Sequence, residues 1–195
     1  MQEICGQWLK YYKVNENKHE KYGAPAPYFR KKFTITGKVY KAELKIAALG
    51  WFKAYLNNEE ITLNDEFLTS WTDYNKRIEY LCYDITNKIS KNNAIGVVLG
   101  NGWACGTVNW GLAKEYYGCF NPCFIAEVIL TYIDGRIESI RTDSWLANIG
   151  EIVYNDIMGR EYVDARKNLG AFSSAAYDDS LWEKPLYVIV VRMFL

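Results

Sequence analysis

Histidine is nearly missing from this sequence: His19 is the only one among 195 residues. Ser-His-Asp chemistry would have to run through that residue, in a charged, loop-like stretch, so a surface histidine is the better reading. Paired cysteines are missing too. Cys5, Cys82, Cys105, Cys119 and Cys123 are odd in number and lack a paired spacing, which argues against a disulfide framework. Cys119 and Cys123, with a histidine far away in sequence, offer too few ligands for zinc. We read the cysteines as reduced, mostly small core residues, and place the chain in the cytoplasm. The opening MQEICGQWLKYYK has no apolar signal-peptide region. No apolar run reaches the roughly 20 residues of a membrane helix, and the tail LYVIVVRMFL reads as a last strand. Net charge is absent, 23 basic residues cancelling 23 acidic ones, so no footprint for nucleic acid or an anionic membrane stands out. The one basic cluster, Arg30-Lys31-Lys32, reads as a solvated strand face. Helical periodicity is almost absent, with a single turn expected near Ser180–Glu183, where DDSLWE carries capping residues. LGNGWACG has the wrong glycine spacing for a nucleotide loop, and TVNWG follows it where a helix is required.

Aromatic side chains are abundant, with 16 Tyr and 7 Trp, and half of the residues are apolar. A core can form without metal or disulfide support. The apolar residues alternate. YFRKKFTI alternates around Phe29 and Phe33, YKAELKIAAL through Ala42, Leu44 and Ile46, and WFKAYLN through Phe52, Ala54 and Leu56. A period of two with one apolar face marks half-buried strands. Tyr80–Ile85 and Ala94–Leu99 give two more, and Ile78, Tyr80 and Cys82 are expected to alternate inward. Asn57-Asn58 and Asp134-Gly135 sit between alternating runs, where tight hairpin turns form. Residues 1–27 are a polar lead-in with one strand around Ile4–Leu9, and residues 28–195 form one compact domain. Many short strands with turns between them specify an all-β sandwich of two antiparallel sheets.

Chemistry is harder to find. Asp73, Asp84, Glu161, Asp164, Asp178 and Asp179 are candidates for paired carboxylates, but sequence alone does not set two of them across a cleft, and no catalytic residue is assigned. Asp73, Tyr74, Asn75, Asn101, Trp103, Asn109 and Trp110 lie beside expected loops. Aromatic faces stack on the C–H faces of a pyranose, and Asn and Asp hydrogen-bond neighbouring hydroxyls. We take Asp73, Tyr74, Asn75, Asn101, Trp103 and Trp110 as candidate sugar-binding residues. For Trp71 and Trp103 a core position stays open. Oxygen ligands from Asp and Asn can also hold calcium.

The motifs APYFRKKF, ALGWFKAYLNNEEI, LTSWTDYNKRIEYLCYDIT, NNAIGVVLGNGW, TYIDGRIESIRTDSWLA, DIMGREYVDARKN and YDDSLWEKPL occur in that order. Together they resemble the N-terminal β-sandwich region of bacterial α-L-rhamnosidases, from about Trp8 to Pro185. The resemblance implies a jelly-roll, galactose-binding-like sandwich that assists substrate recognition, while a separate (α/α)6 barrel performs hydrolysis. It implies a fragment, inactive on its own, whose partners are a rhamnose-containing carbohydrate and the parent's catalytic barrel. The alternative is a scaffold that docks on that barrel without sugar affinity, its exposed apolar surface favouring a homodimer of the fragment. Some relatives bind L-rhamnose through calcium, for which Asp73 and Asn75, and Asn121 in YYGCFNP, are the nearest oxygen donors. Asn58 stands where many relatives have Gly, and Asn101 where many have Asp, which removes a carboxylate from that loop. Glu161, Asp164 and Arg166 in GREYVDAR are expected to form an ion-pair network.

Overall fold

The structure is a computed structural model that describes residues 4–11, 25–62, 70–108, 117, 121–189 and 193–194. Strands are numbered along the chain. The larger sheet runs in the order β14 (Leu186–Val188), β1 (Trp8–Lys10), β9 (Cys123–Tyr132), β3 (Val39–Leu49) and β7 (Leu81–Asp84). β9 is its spine. One edge of β9 pairs with β3 along its length, and the other is shared by β1 at Phe124 and β10 (Ile137–Ile140) at Val128–Thr131. The second sheet runs β11 (Leu146–Ile149), β2 (Pro27–Thr34), β8 (Asn92–Gly100), β4 (Trp51–Leu56) and β5 (Glu59–Glu60). All pairings in these two sheets are antiparallel. Two ribbons complete the fold: β12 (Ile152–Asp156) with β13 (Arg160–Val163), and β6 (Arg77–Ile78) with β15 (Met193–Phe194). The second ribbon is parallel, an exception to the antiparallel expectation.

The core follows from the alternation. Phe29 and Phe33 of β2, Ala42, Leu44 and Ile46 of β3, Phe52, Ala54 and Leu56 of β4, and Ile95, Val97 and Leu99 of β8 meet between the sheets in one buried cluster. Both expected hairpins form. Asn57 and Asn58 adopt positive φ of 52° and 68°, the left-handed pair that a two-residue hairpin turn requires and that Asn tolerates well. Gly135 takes φ 85° in the β9–β10 turn. β2 opens on Pro27, where a missing N–H costs no interior ladder bond.

The outer faces are not left bare. On the larger sheet Ala47, Leu49, Cys123 and Ile125 point away from the central core into a second buried cluster with Trp8, Tyr74, Ile78, Ala104 and Cys105. On the smaller sheet, Tyr28 and Val98 are covered by Phe172 and Trp182 from the chain that follows β13. That cover is fastened by Arg30, a fully buried cation on β2. Its guanidinium donates to the carbonyls of Phe172 and Ser174 at 2.7 and 2.8 Å, pairs with Asp179, and lies 5.2 Å from the Tyr177 ring centroid. Arg30 is therefore not part of a solvated strand face, whereas the flanking lysines reach outward to Asp143 and Asp179.

Other expectations change. Leu81 and Tyr83, rather than Tyr80 and Cys82, pack on the central core, and Cys82 is exposed. The chain breaks between β6 and β7 at Glu79-Tyr80, and a one-residue shift in a strand exchanges its faces. Cysteines divide evenly among the described positions: Cys105 and Cys123 are buried, Cys5 and Cys82 exposed. Ser180–Glu183 is a turn followed by an isolated bridge to Ala147 rather than a helix. Instead one helical turn, α1 (Gly102–Cys105), follows β8 where no helix was expected. His19 and Cys119 lie outside the described residues.

Candidate functional site

The segment Ser70–Lys76 leaves the sandwich as a loop, and its turn is built by Asp73. The Asp73 carbonyl accepts from the N–H groups of Lys76 and Arg77 at 2.8 and 3.0 Å, and its carboxylate accepts from the Asn75 N–H at 3.1 Å. This is the backbone-mimicking turn that short acidic side chains form. Lys76 adds an ion pair to the Asp73 carboxylate at 3.1 Å. The turn is anchored from below by Tyr74, whose ring is buried and meets Tyr117 edge-on at 5.0 Å. Burial, with Tyr117 beside it, pushes the Tyr74 phenol well above its ordinary range.

Above this anchor sits an aromatic platform. Trp71 stacks on Trp103 of α1, with centroids 4.6 Å apart and planes 8° from parallel, and Trp51 of β4 meets Trp103 edge-on at 6.3 Å. The Trp71 indole N–H donates to the Tyr117 hydroxyl at 2.6 Å. Trp71 remains 51% exposed, so the ring is held rigidly on one side and open on the other. Trp71, Thr72, Asp73, Asn75 and Tyr117 line a shallow concavity of about 470 Å³.

The sequence-derived candidates therefore divide. Asp73 and Asn75 line the concavity, and Trp103 supports it from behind. Tyr74 and Asn101 are not among the residues lining it, and both are buried. Asn101 is fixed to Asn155 by two bonds of 2.7 Å, its backbone N–H donating to the Asn155 side-chain oxygen and its own amide donating to the Asn155 carbonyl. That second bond needs a donor, which an Asp at this position would lack in its ionised form. Trp110 and Asn109 lie outside the described residues. Tyr117 was missed because nothing in its local sequence separates it from the other tyrosines, and Trp71 was left undecided between core and rim.

Asn121 is not among the residues lining the concavity, the Asp73 carboxylate already meets Lys76, and no cluster of three or more acidic, Cys or His side chains forms among the described residues. Asp84, Asp164, Asp178 and Asp179 are engaged elsewhere. Asp84 and Asp178 accept from Thr86 and Ser180 and are held below the usual range by those bonds. Asp164 is gripped by Arg166 through two bonds of 2.8 and 2.9 Å, which lowers it likewise. Glu161 is not in that pair. It lines a separate groove on the outer face of the smaller sheet.

The sequence profile of the α-L-rhamnosidase N-terminal domain matches residues 37–192. An α-L-rhamnosidase of Alteromonas sp. (strain LOR) is 37% identical over 162 residues, 82% of this chain and 17% of the relative. The crystal structure of the Streptomyces avermitilis α-L-rhamnosidase complexed with L-rhamnose superposes with a TM-score of 0.82 at 30% identity, over 88% of this chain and 17% of that one. The α-L-rhamnosidase of Aspergillus terreus has the same fold, with a TM-score of 0.86 at 24% identity, over 95% of this chain and 21% of that one. The chain thus spans about a sixth of the length of the curated relative it matches.

Proposed function

Since the chain belongs to the α-L-rhamnosidase N-terminal domain family, we propose that it is the carbohydrate-recognition sandwich of such an enzyme and performs no hydrolysis itself. The parent enzyme removes terminal α-L-rhamnose from glycans or glycosides with a separate helical barrel. The observation that carries this reading is Trp71. Its ring is half open, backed by Trp103, and stands beside Asp73 and Asn75. A sugar's C–H face covers the indole while its hydroxyls reach the Asp73 carboxylate and the Asn75 amide. Lys76 offers one more donor to a ring oxygen or hydroxyl.

Calorimetric titration of the chain with L-rhamnose tests it, first with calcium and then with EDTA. Saturable heat that disappears in Trp71→Ala and falls in Asp73→Ala is the expected result. Heat that also vanishes with EDTA would bring calcium into the site. A flat trace in both conditions overturns the proposal and favours the second reading, a scaffold that docks on the catalytic barrel. That reading has its own support in exposed apolar side chains on and beside β14, with Leu186 45%, Tyr187 52% and Ile189 92% exposed.

A further inference from the structure

Trp103 backs the open ring of Trp71, yet the element that carries Trp103 cannot hold itself. α1 is a single turn of four residues, with no side-chain cap from Asn101. A helical turn of that length does not persist in water without outside support. Against β4 it has no slack. Gly102 takes φ 50°, and a Cβ there would come within 2.9 Å of the Trp51 backbone nitrogen, so the turn cannot settle closer to that strand.

The last two residues of β12 hold both ends of the turn. Asn155 holds its start, through the two bonds to Asn101. Asp156 holds the chain that leaves it. One carboxylate oxygen, Oδ2, accepts from the Thr107 N–H at 2.9 Å and from the Thr107 hydroxyl at 3.0 Å. The other, Oδ1, accepts from the N–H groups of Met158 and Gly159 at 2.9 and 3.0 Å, in the turn toward β13. The Asp156 side chain is buried, and the Oδ1 bonds fix the direction in which Oδ2 points. Hydrogen bonds to an ionised acceptor are roughly twice as strong as neutral ones.

We infer that Asp156 is the positioning residue of the sugar platform, an inference that rests on the carbohydrate reading of the Trp71 concavity. By fixing Thr107 it fixes the exit of α1. Trp103 then stays parallel to Trp71, and the open face of Trp71 keeps its place beside Asp73 and Asn75. Asp156 is not among the residues lining the concavity, so it acts through Thr107 and Trp103 and not by touching a sugar. A binding surface is only as well defined as the groups that support it from behind.

Asp156→Asn separates this role from that of the hairpin turn. Its remaining oxygen can keep the Met158 and Gly159 bonds, and its amide then turns donors toward the Thr107 N–H. Tryptophan ring and indole resonances of the ¹⁵N-labelled chain read the stack without any ligand, because each ring of a parallel pair shifts the protons of the other. Trp71→Ala supplies the unstacked reference. In Asp156→Asn the Trp103 resonances should move toward that reference, while Trp145 and Trp182, in the other two buried clusters, keep theirs. Titration with methyl α-L-rhamnoside should then show binding about tenfold weaker than wild type. The inference is overturned if the Trp103 resonances stay at their wild-type positions, or if they move and the affinity does not change. If Asp156→Asn disturbs Trp145 and Trp182 as well, Thr107→Val decides by the same comparison, since it removes only the hydroxyl bond, and Thr107→Ser should keep the wild-type positions. A wild-type chain that does not bind the glycoside sinks the carbohydrate reading alone, and the ligand-free resonances still decide whether Asp156 places the stack.

Discussion

Asn101 shows how a single side chain sets what a position can do. Its amide donates to the Asn155 carbonyl inside a buried environment. In Asn101→Asp the donor is replaced by an acceptor facing that carbonyl, and a charge is placed where water does not reach. The loss expected is about 3 kcal/mol, combining a lost hydrogen bond with a buried unpaired group. Its pH dependence has a definite sign. Burial raises the folded-state pKa of the new carboxyl above its unfolded value, so the variant approaches wild type in acid and loses stability as pH rises toward neutrality. Urea midpoints at acid and neutral pH measure it, and a loss equal at both would contradict the account. The same residue explains part of what the sequence did not reveal. Asn101 and Tyr74 look like rim residues by type and position, because neighbouring residues in a loop read alike whether they point out or in. Asp73 and Asn75, read as loop residues, do stand exposed on a turn, because the Asx turn that holds them is local. Tyr117 became part of the site only through contacts with Trp71 and Tyr74, 46 and 43 residues away in sequence.

Among the elements, the strands with strict alternation were readable and the covers over them were not. β2, β3, β4, β8 and β9 announce themselves because one face of each meets the central core. The chain following β13 has no such period, since its Phe172 and Trp182 insert singly against the outer face of the smaller sheet. The helical turn α1 escaped notice because four residues cannot display a helical repeat. What attaches the cover is Arg30, and its pairing with Asp179 makes the attachment testable. Asp179→Asn leaves the buried guanidinium without its counter-charge and should cost about 3 kcal/mol. Replacing Arg30 by Met removes the charge, though it also deprives the Phe172 and Ser174 carbonyls of their donor. A double-mutant cycle separates the terms. Asp179→Asn should cost much less in the Arg30→Met background than alone, and equal costs in both would show that the ion pair contributes nothing.

Over the whole molecule, buried phenols are expected to set the alkaline limit, and one sheet edge is the place where association is expected. Tyr55 is pushed up to about 12 by burial and by Glu60, while Tyr28 and Tyr74 lie higher, both chiefly through burial. Unfolded tyrosine ionises near about 10. Stability from these three is fully present below that pH and declines as pH rises through the folded-state values. Denaturant midpoints should stay level up to about pH 9 and fall beyond it, with Tyr55→Phe removing part of the fall. The sheet edge is β14. Its inner side pairs with β1, and no described strand covers its other side. An unpaired edge with apolar side chains recruits further strands unless charge or shape prevents it. Here Leu186, Tyr187 and Ile189 are exposed together, so the isolated chain should self-associate through β14, or hold a neighbouring domain there in a longer protein. Sedimentation velocity of the wild-type chain should show a concentration-dependent dimer, and the pair Tyr187→Lys and Ile189→Lys should abolish it while leaving the circular dichroism unchanged. A wild-type chain that stays monomeric at the highest soluble concentration would show that β14 is protected by its shortness alone.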